Sequence, residues 1–193
     1  MKRTIRLGLV LVAALGAACT NKQGETEAPV FITVEIKAQP GFVDISVPAA
    51  VQIDTMILDS HLKDATATDP QGFANVTLQN YTVAFRRTDG GTIVPPVQNF
   101  GGGGLLVPSG GETTLTNYPV MYASAVQGPP FDQLLPFNGG IDRETHQTEI
   151  DTAFDITFFG ITASGMRVQS ETASGILIFQ YGAAAAAGAR AKK

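Results

Sequence analysis

Ile150, Thr152, Phe154, Ile156 and Phe158 interleave with Asp151, Ala153, Asp155, Thr157 and Phe159, a two-residue rhythm that puts the first set on one face of a strand. The rhythm returns at Val30, Ile32, Val34 and Ile36 against Phe31, Thr33, Glu35 and Lys37, and again at Val43, Ile45 and Val47 against Asp44 and Ser46. No long stretch carries helical spacing. A chain of many short strands, each with one apolar face, must close those faces against one another, and two packed sheets are the simplest way to do so.

The turn signals divide the chain further. Gln39-Pro40-Gly41 reads as a short reversal joining two strands across residues 30–47, and Pro48 ends the second. After a less regular run at 51–58, Asp69-Pro70-Gln71-Gly72 marks a turn. Val76 and Leu78 stand in one phase and Tyr81, Val83 and Phe85 in the other, so a slip near Asn80 predicts a bulge or a bend between sheets. Asp89-Gly90 is a tight-turn signal. Residues 115–126 are strand-like, with Pro119 confined to an edge or a bulge because it has no N–H to donate. Residues 160–165 connect to a last pattern at 166–181, in which Val168 faces with Ser170 and Thr172. The run Ile176-Leu177-Ile178-Phe179 reads as buried on both sides. Seven to nine strands with no long helix predict an all-β fold, a single two-sheet antiparallel sandwich over residues 29–182, immunoglobulin-like or a related Greek key. With one cysteine and no tryptophan in the chain, that likeness is one of architecture only.

The first 19 residues have a different character. Lys2, Arg3 and Arg6 precede an uncharged run over residues 7–18, which closes on small residues before Cys19, the only cysteine in the chain. A basic start, an apolar run and a small-residue end form a secretory signal that is removed before folding. Twelve residues are too few to cross a hydrocarbon core, which takes about 20 as a helix. The segment resembles the signal of a bacterial lipoprotein, although Gly16 stands where that family usually has leucine, with Leu15 one place earlier. The resemblance implies cleavage after Ala18, a diacylglyceryl group on the Cys19 sulfur and a further acyl chain on its new amino group. Stable membrane attachment needs roughly two acyl chains, so three are enough. Thr20 in place of aspartate implies, by the same resemblance, the outer membrane of the envelope. Residues 20–28, TNKQGETEA, are polar and read as a tether reaching at most about 30 Å. Residues 81–90, YTVAFRRTDG, are similar to bacterial lipoproteins that carry an uncharacterised immunoglobulin-like sandwich, a resemblance that implies no particular activity. The expected organisation is a signal at 1–18, lipidated cysteine and tether at 19–28, the sandwich at 29–182 and a disordered alanine-rich tail at 183–193.

Charge narrows the partners. Loss of residues 1–18 removes three basic side chains and no acidic one, which moves the formal charge from −4 to −7. An acidic chain repels phosphate backbones, so nucleic acid is not an expected partner. A single cysteine allows no internal disulfide, and stability has to come from packing.

Chemistry-bearing motifs are scarce. His61 and His146 lie far apart, no G-x-S-x-G elbow occurs, and the Gly101 to Gly104 run lacks the Gly-Lys-Ser/Thr of a phosphate loop. Neither a metal nor another cofactor is expected. Asp54, Asp59, Asp64 and Asp69 recur every five residues, a spacing open to either calcium or a solvated acidic connection. Asp142, Arg143, Glu144 and His146 form a second polar cluster, open either to an acid/base pair of Glu144 and His146 that a hydrolase reading could use or to a charged loop after Gly139-Gly140 with no such role. Two Gly/Pro-rich loops, 95–111 and 128–140, carry Phe100, Phe131 and Phe137, which either cap the sandwich or form a contact patch for an envelope partner. The leading expectation is a membrane-anchored, non-enzymatic interaction or structural module. The second is a carbohydrate- or small-ligand-binding sandwich using Tyr81, Tyr118 or Tyr122 as a ring platform.

Overall fold

The structure is a computed structural model that describes residues 27–182. The signal, Cys19, nearly all of the tether and the tail at 183–193 lie outside the described residues. Strands dominate, and the single α-helix described, Ala123–Val126, has four residues. In chain order the strands are β1 (Val30–Ala38), β2 (Phe42–Asp44), β3 (Val51–Leu62), β4 (Val76–Arg87), β5 (Gln98–Gly101), β6 (Leu106–Val107), β7 (Glu112–Met121), β8 (Glu149–Thr162), β9 (Arg167–Gln169) and β10 (Ala173–Gln180). One sheet has the order β1-β3-β7. The other runs β2-β10-β8-β4-β5, with β6 on β4 and β9 on β8. The inward faces of the two sheets form one core, as the alternation at 30–36 and 150–158 requires.

The slip near Asn80 is a β-bulge. The register of β4 against β8 jumps between Leu78 and Asn80, leaving Gln79 as the extra residue. Pro119 lies on β7, at the outer edge of its sheet and beside a second register shift, so its missing N–H costs no ladder bond.

Four expectations are corrected. Residues 30–47 do not form a hairpin: β1 pairs with β3 in the first sheet, whereas the chain crosses at 39–41 and β2 joins the second sheet. Because β2 lies parallel to β10, the sandwich is not wholly antiparallel. The run 176–179 is buried on one side only, with Leu177 and Phe179 inward and Ile176 55% exposed on the outer face. Thr172 is likewise exposed, since the chain changes phase between β9 and β10.

The core is aromatic where the sheets meet the loops. Tyr81 packs against Phe100, Phe158 and Tyr118 with centroids 4.8, 5.1 and 4.8 Å away, and its hydroxyl donates to the Pro119 carbonyl at 2.7 Å, joining the sheets through the core. Burial, with Tyr118 and Tyr122 adding to it, pushes the pKa of that hydroxyl up, so it stays protonated and available as a donor.

Candidate functional site

Inward phase on β4 runs Tyr81, Val83, Phe85 and then Arg87, so the alternation carries a guanidinium to the edge of the core. Arg87 is the centre of the site. Its side chain is 1% exposed, and Nε and Nη2 make a two-pronged contact with Asp89, each at 2.7 Å. Nη2 also donates to Asp142 Oδ2 at 2.8 Å, and Nη1 lies 3.6 Å from Glu144. A Cβ on Gly91 would fall inside the guanidinium, so only glycine lets the chain pass so closely over it.

Asp142 is fully buried. Its Oδ1 accepts from Gln133 Nε2 at 2.5 Å, and its Oδ2 accepts from both the backbone N–H and the hydroxyl of Thr145. Gln133 Oε1 accepts from the Arg143 N–H, which closes the loop around the carboxylate. Burial pushes the Asp142 carboxyl up, but the Thr145 donors and Arg87 together outweigh it and hold it at about 2. Asp89 is governed in the same way: burial raises it, while Arg87 and the N–H groups of Gly91 and Asp151 bring it below the ordinary value. Burial alone would lower the Arg87 pKa, and its contacts with Asp89 and Asp142 reverse that. The site thus holds fixed charges across the neutral range.

Glu144 faces the neighbouring connection. Its carboxylate accepts from the backbone N–H groups of Thr92 and Ile93 at 2.8 and 3.0 Å and from the Thr92 hydroxyl, and these bonds lower its pKa. His146 has a left-handed backbone (φ 60°), and its N–H donates to the Asp142 carbonyl. Glu144 therefore serves as a clasp between the β4–β5 and β7–β8 connections.

The three phenylalanines separate. Phe100 is not at a loop tip: it lies on β5, buried, stacked on Tyr81 and packed against Tyr122 at 4.4 Å. Phe131 is fully buried, and its ring stacks on Phe179 at 3.8 Å. Both cap the core, which takes them out of any contact patch. Phe137 is 82% exposed. Of the three tyrosines considered as platforms, Tyr81 belongs to the core, Tyr118 packs beside it, and Tyr122 is half exposed with its hydroxyl on the Asn99 carbonyl.

The clasped connections carry apolar side chains into solvent: Ile93 and Val94 from 88–97, Phe137 and Ile141 from 122–148. Between these connections lies a shallow groove of about 510 Å³ lined by Val94, Pro96, Ala125 and Pro129. Apolar residues on a fixed framework suit binding of another surface.

The acidic residues at 54–69 do not converge. Asp59 pairs with His61 at 3.1 Å, Asp64 accepts from the N–H and hydroxyl of Thr66, and Asp69 accepts from the N–H groups of Phe73 and Ala74. Among the described residues no three His, Cys, Asp or Glu side chains are grouped to hold a metal ion. No helix among them is long and apolar enough to cross a membrane.

Sequence reading passed over Arg87 and Gln133. The signal for Arg87 was present, because the phase of Tyr81, Val83 and Phe85 extends to it; for Gln133 there was none. Comparison with protein-family models, with curated proteins and with solved structures found no match to this chain.

Proposed function

We propose that the chain is a lipid-anchored protein of the bacterial envelope, most consistent with the outer membrane, whose non-enzymatic sandwich presents its clasped connections to a partner protein. The observation that carries this reading is the separation of two ends. Glu27, the first described residue, lies beside Gly165, Met166 and Arg167, where β8 ends and β9 begins. The Arg87 cluster lies where β8 starts, with the Thr88 N–H on the Asp151 carbonyl. The 14 residues of β8 separate these ends by roughly 40 Å. A chain held through Cys19 would place Ile93, Val94, Phe137 and Ile141 at the end away from the anchor.

The strand order supports a narrower assignment to the immunoglobulin-like sandwiches. The first two strands are split between the sheets, β8 lies between β10 and β4, and the order β1-β3-β7 faces β2-β10-β8-β4-β5, which parallels the two-sheet division of that architecture.

Two measurements test the proposal. Mass spectrometry of the mature N-terminus is expected to find lipid on Cys19, and Cys19→Ser is expected to release the protein from the membrane fraction; an unmodified, freely soluble product would overturn the anchor. A photo-crosslinker at position 93 or 137 is expected to give a discrete protein adduct in intact cells, and Phe137→Asp is expected to abolish the adduct from position 93 with the melting temperature unchanged. Adducts unaffected by that change, or none from either position, would overturn the presenting end.

A further inference from the structure

We propose that the outer face of the second sheet carries a binding groove for an anionic oligosaccharide, centred on Phe159. This inference does not rest on the anchor or on the clasped connections.

Cross-strand register places Phe159 between Asn80 on β4 and Gln169 on β9, and Asn80 in turn faces Gly101 on β5. A partly exposed ring therefore sits between two amides on the outer face of the sheet. The bulge adds a third amide. By inserting Gln79 into β4, it brings two consecutive residues, Gln79 and Asn80, to the exposed side where regular pleating would bring one. Gly102 pins the bulge: its N–H donates to the Gln79 carbonyl at 2.7 Å, and a Cβ there would stand 2.8 Å from the Leu78 and Gln79 backbone. Gly101 leaves the row without a side chain at its β5 edge.

Several polar side chains elsewhere on this face are paired with one another. Arg86 and Ser174 both bind Asp155, and Thr157 bonds Thr172. By contrast the side chains of Gln79, Asn80, Arg167 and Gln169 have no hydrogen-bond partner among the described residues, yet all four line a groove of about 550 Å³ with Phe159. That volume falls within the range of small-ligand sites, roughly 300–1,000 Å³.

The chemistry of the lining selects the ligand. A flat apolar ring accepts the C–H face of a pyranose, and flanking amides supply both donors and acceptors to its hydroxyls. Among the described residues that line the groove none is a carboxylate and Arg167 is the one charge, suited to a two-pronged contact with a carboxylate or sulfate. The lone guanidinium favours a sugar that carries a carboxylate or sulfate at that point over a neutral one, while the net negative charge of the chain opposes further anionic groups along the ligand.

The test is binding of the mature chain to short oligogalacturonate and heparin oligosaccharides, with maltooligosaccharides as the neutral control, by calorimetry and by chemical-shift mapping. Saturable binding of at least one acidic probe is expected, with shifts centred on residues 79–82, 159 and 167–169. Phe159→Ala and Arg167→Gln are each expected to weaken it by about tenfold or more. Asn80→Ala, at an exposed position, gives a second reading should the ring variant lose stability. Binding of the neutral sugars as tightly as the acidic ones, acidic binding that survives these changes, or no binding of either acidic probe would overturn the proposal.

Discussion

Arg87, the last residue of β4, and Asp142, fifty-five residues later in the connection to β8, meet at 2.8 Å with side chains 1% and 0% exposed. Two charges withdrawn from water are costly, and here the cost is offset because each has further partners: Asp89 for the guanidinium, Thr145 and Gln133 for the carboxylate.

Removal of the cation alone should therefore be severe. Arg87→Met leaves Asp89 and Asp142 withdrawn from water with their hydrogen-bond donors but without their counter-charge, a loss on the order of 3–5 kcal/mol. For a domain of this size that corresponds to a fall in melting temperature of roughly 6–20 °C, measurable by circular dichroism. A fall of a degree or less would show that the cluster adds nothing to the fold.

The same cluster sets the acid limit of the domain. Asp142 titrates at about 2 when folded against an ordinary value of 3.8, so its contribution is complete above the ordinary value and is lost as pH falls through the folded one. Asp89, also lowered, acts in the same direction. Melting temperature should drop between about pH 4 and pH 2. The drop should be shallower in Asp142→Asn, which has already lost the titrating group.

Asp151 should behave in the opposite sense. Burial raises its pKa, Glu149 and Asp89 raise it further, and its Oδ1 is buried with no hydrogen-bond partner. A folded pKa above the unfolded one means that the charged carboxylate opposes folding at neutral pH and that the opposition fades as it protonates. Asp151→Asn, of nearly the same shape, is expected to raise the melting temperature at pH 7 and to match the parent protein once the pH is below about 4. A lower melting temperature at pH 7 would mean that the carboxylate has a role the local charges do not reveal.

What the sequence discloses follows from how locally each feature is determined. The bulge at Gln79 and the edge placement of Pro119 were legible because each is fixed by the residues beside it, a phase change in one case and a missing N–H in the other. The path of β2 was not. Val43 and Ile45 point inward whether the strand returns along β1 or crosses to β10, and only packing against Phe179 and its neighbours in the second sheet decides between them. Run 176–179 misled for a related reason: continuous apolar character is the same whether the second face is covered or, as at Ile176, left open. Phe100 and Phe131 look alike with Phe137 in composition and flanking glycines, and what separates them is contact with Tyr81 and Phe179, far away in the chain. Partner identity hides the Arg87 cluster as well, since its inward phase was readable but Asp142 and Gln133 reach it only through the fold.

The contact between Tyr81 and Pro119 offers a measure of how tightly the sheets are joined. Tyr81 is 1% exposed, and its hydroxyl reaches across the core from β4 to the Pro119 carbonyl on β7. Tyr81→Phe keeps the ring and its stacking on Phe100 and Phe158 and removes only the donor. A buried hydrogen bond of this kind contributes about 0.5–1.5 kcal/mol, so a loss of roughly 1–6 °C in melting temperature is expected. Pro119 stands on an edge strand next to a register shift, where that bond fixes the β7 backbone against the opposite sheet. Hydrogen exchange at Val120 and Met121 should accordingly quicken more in this variant than exchange in β8 does. Equal acceleration in both strands would instead mean that the bond supports the domain as a whole and gives β7 no local restraint.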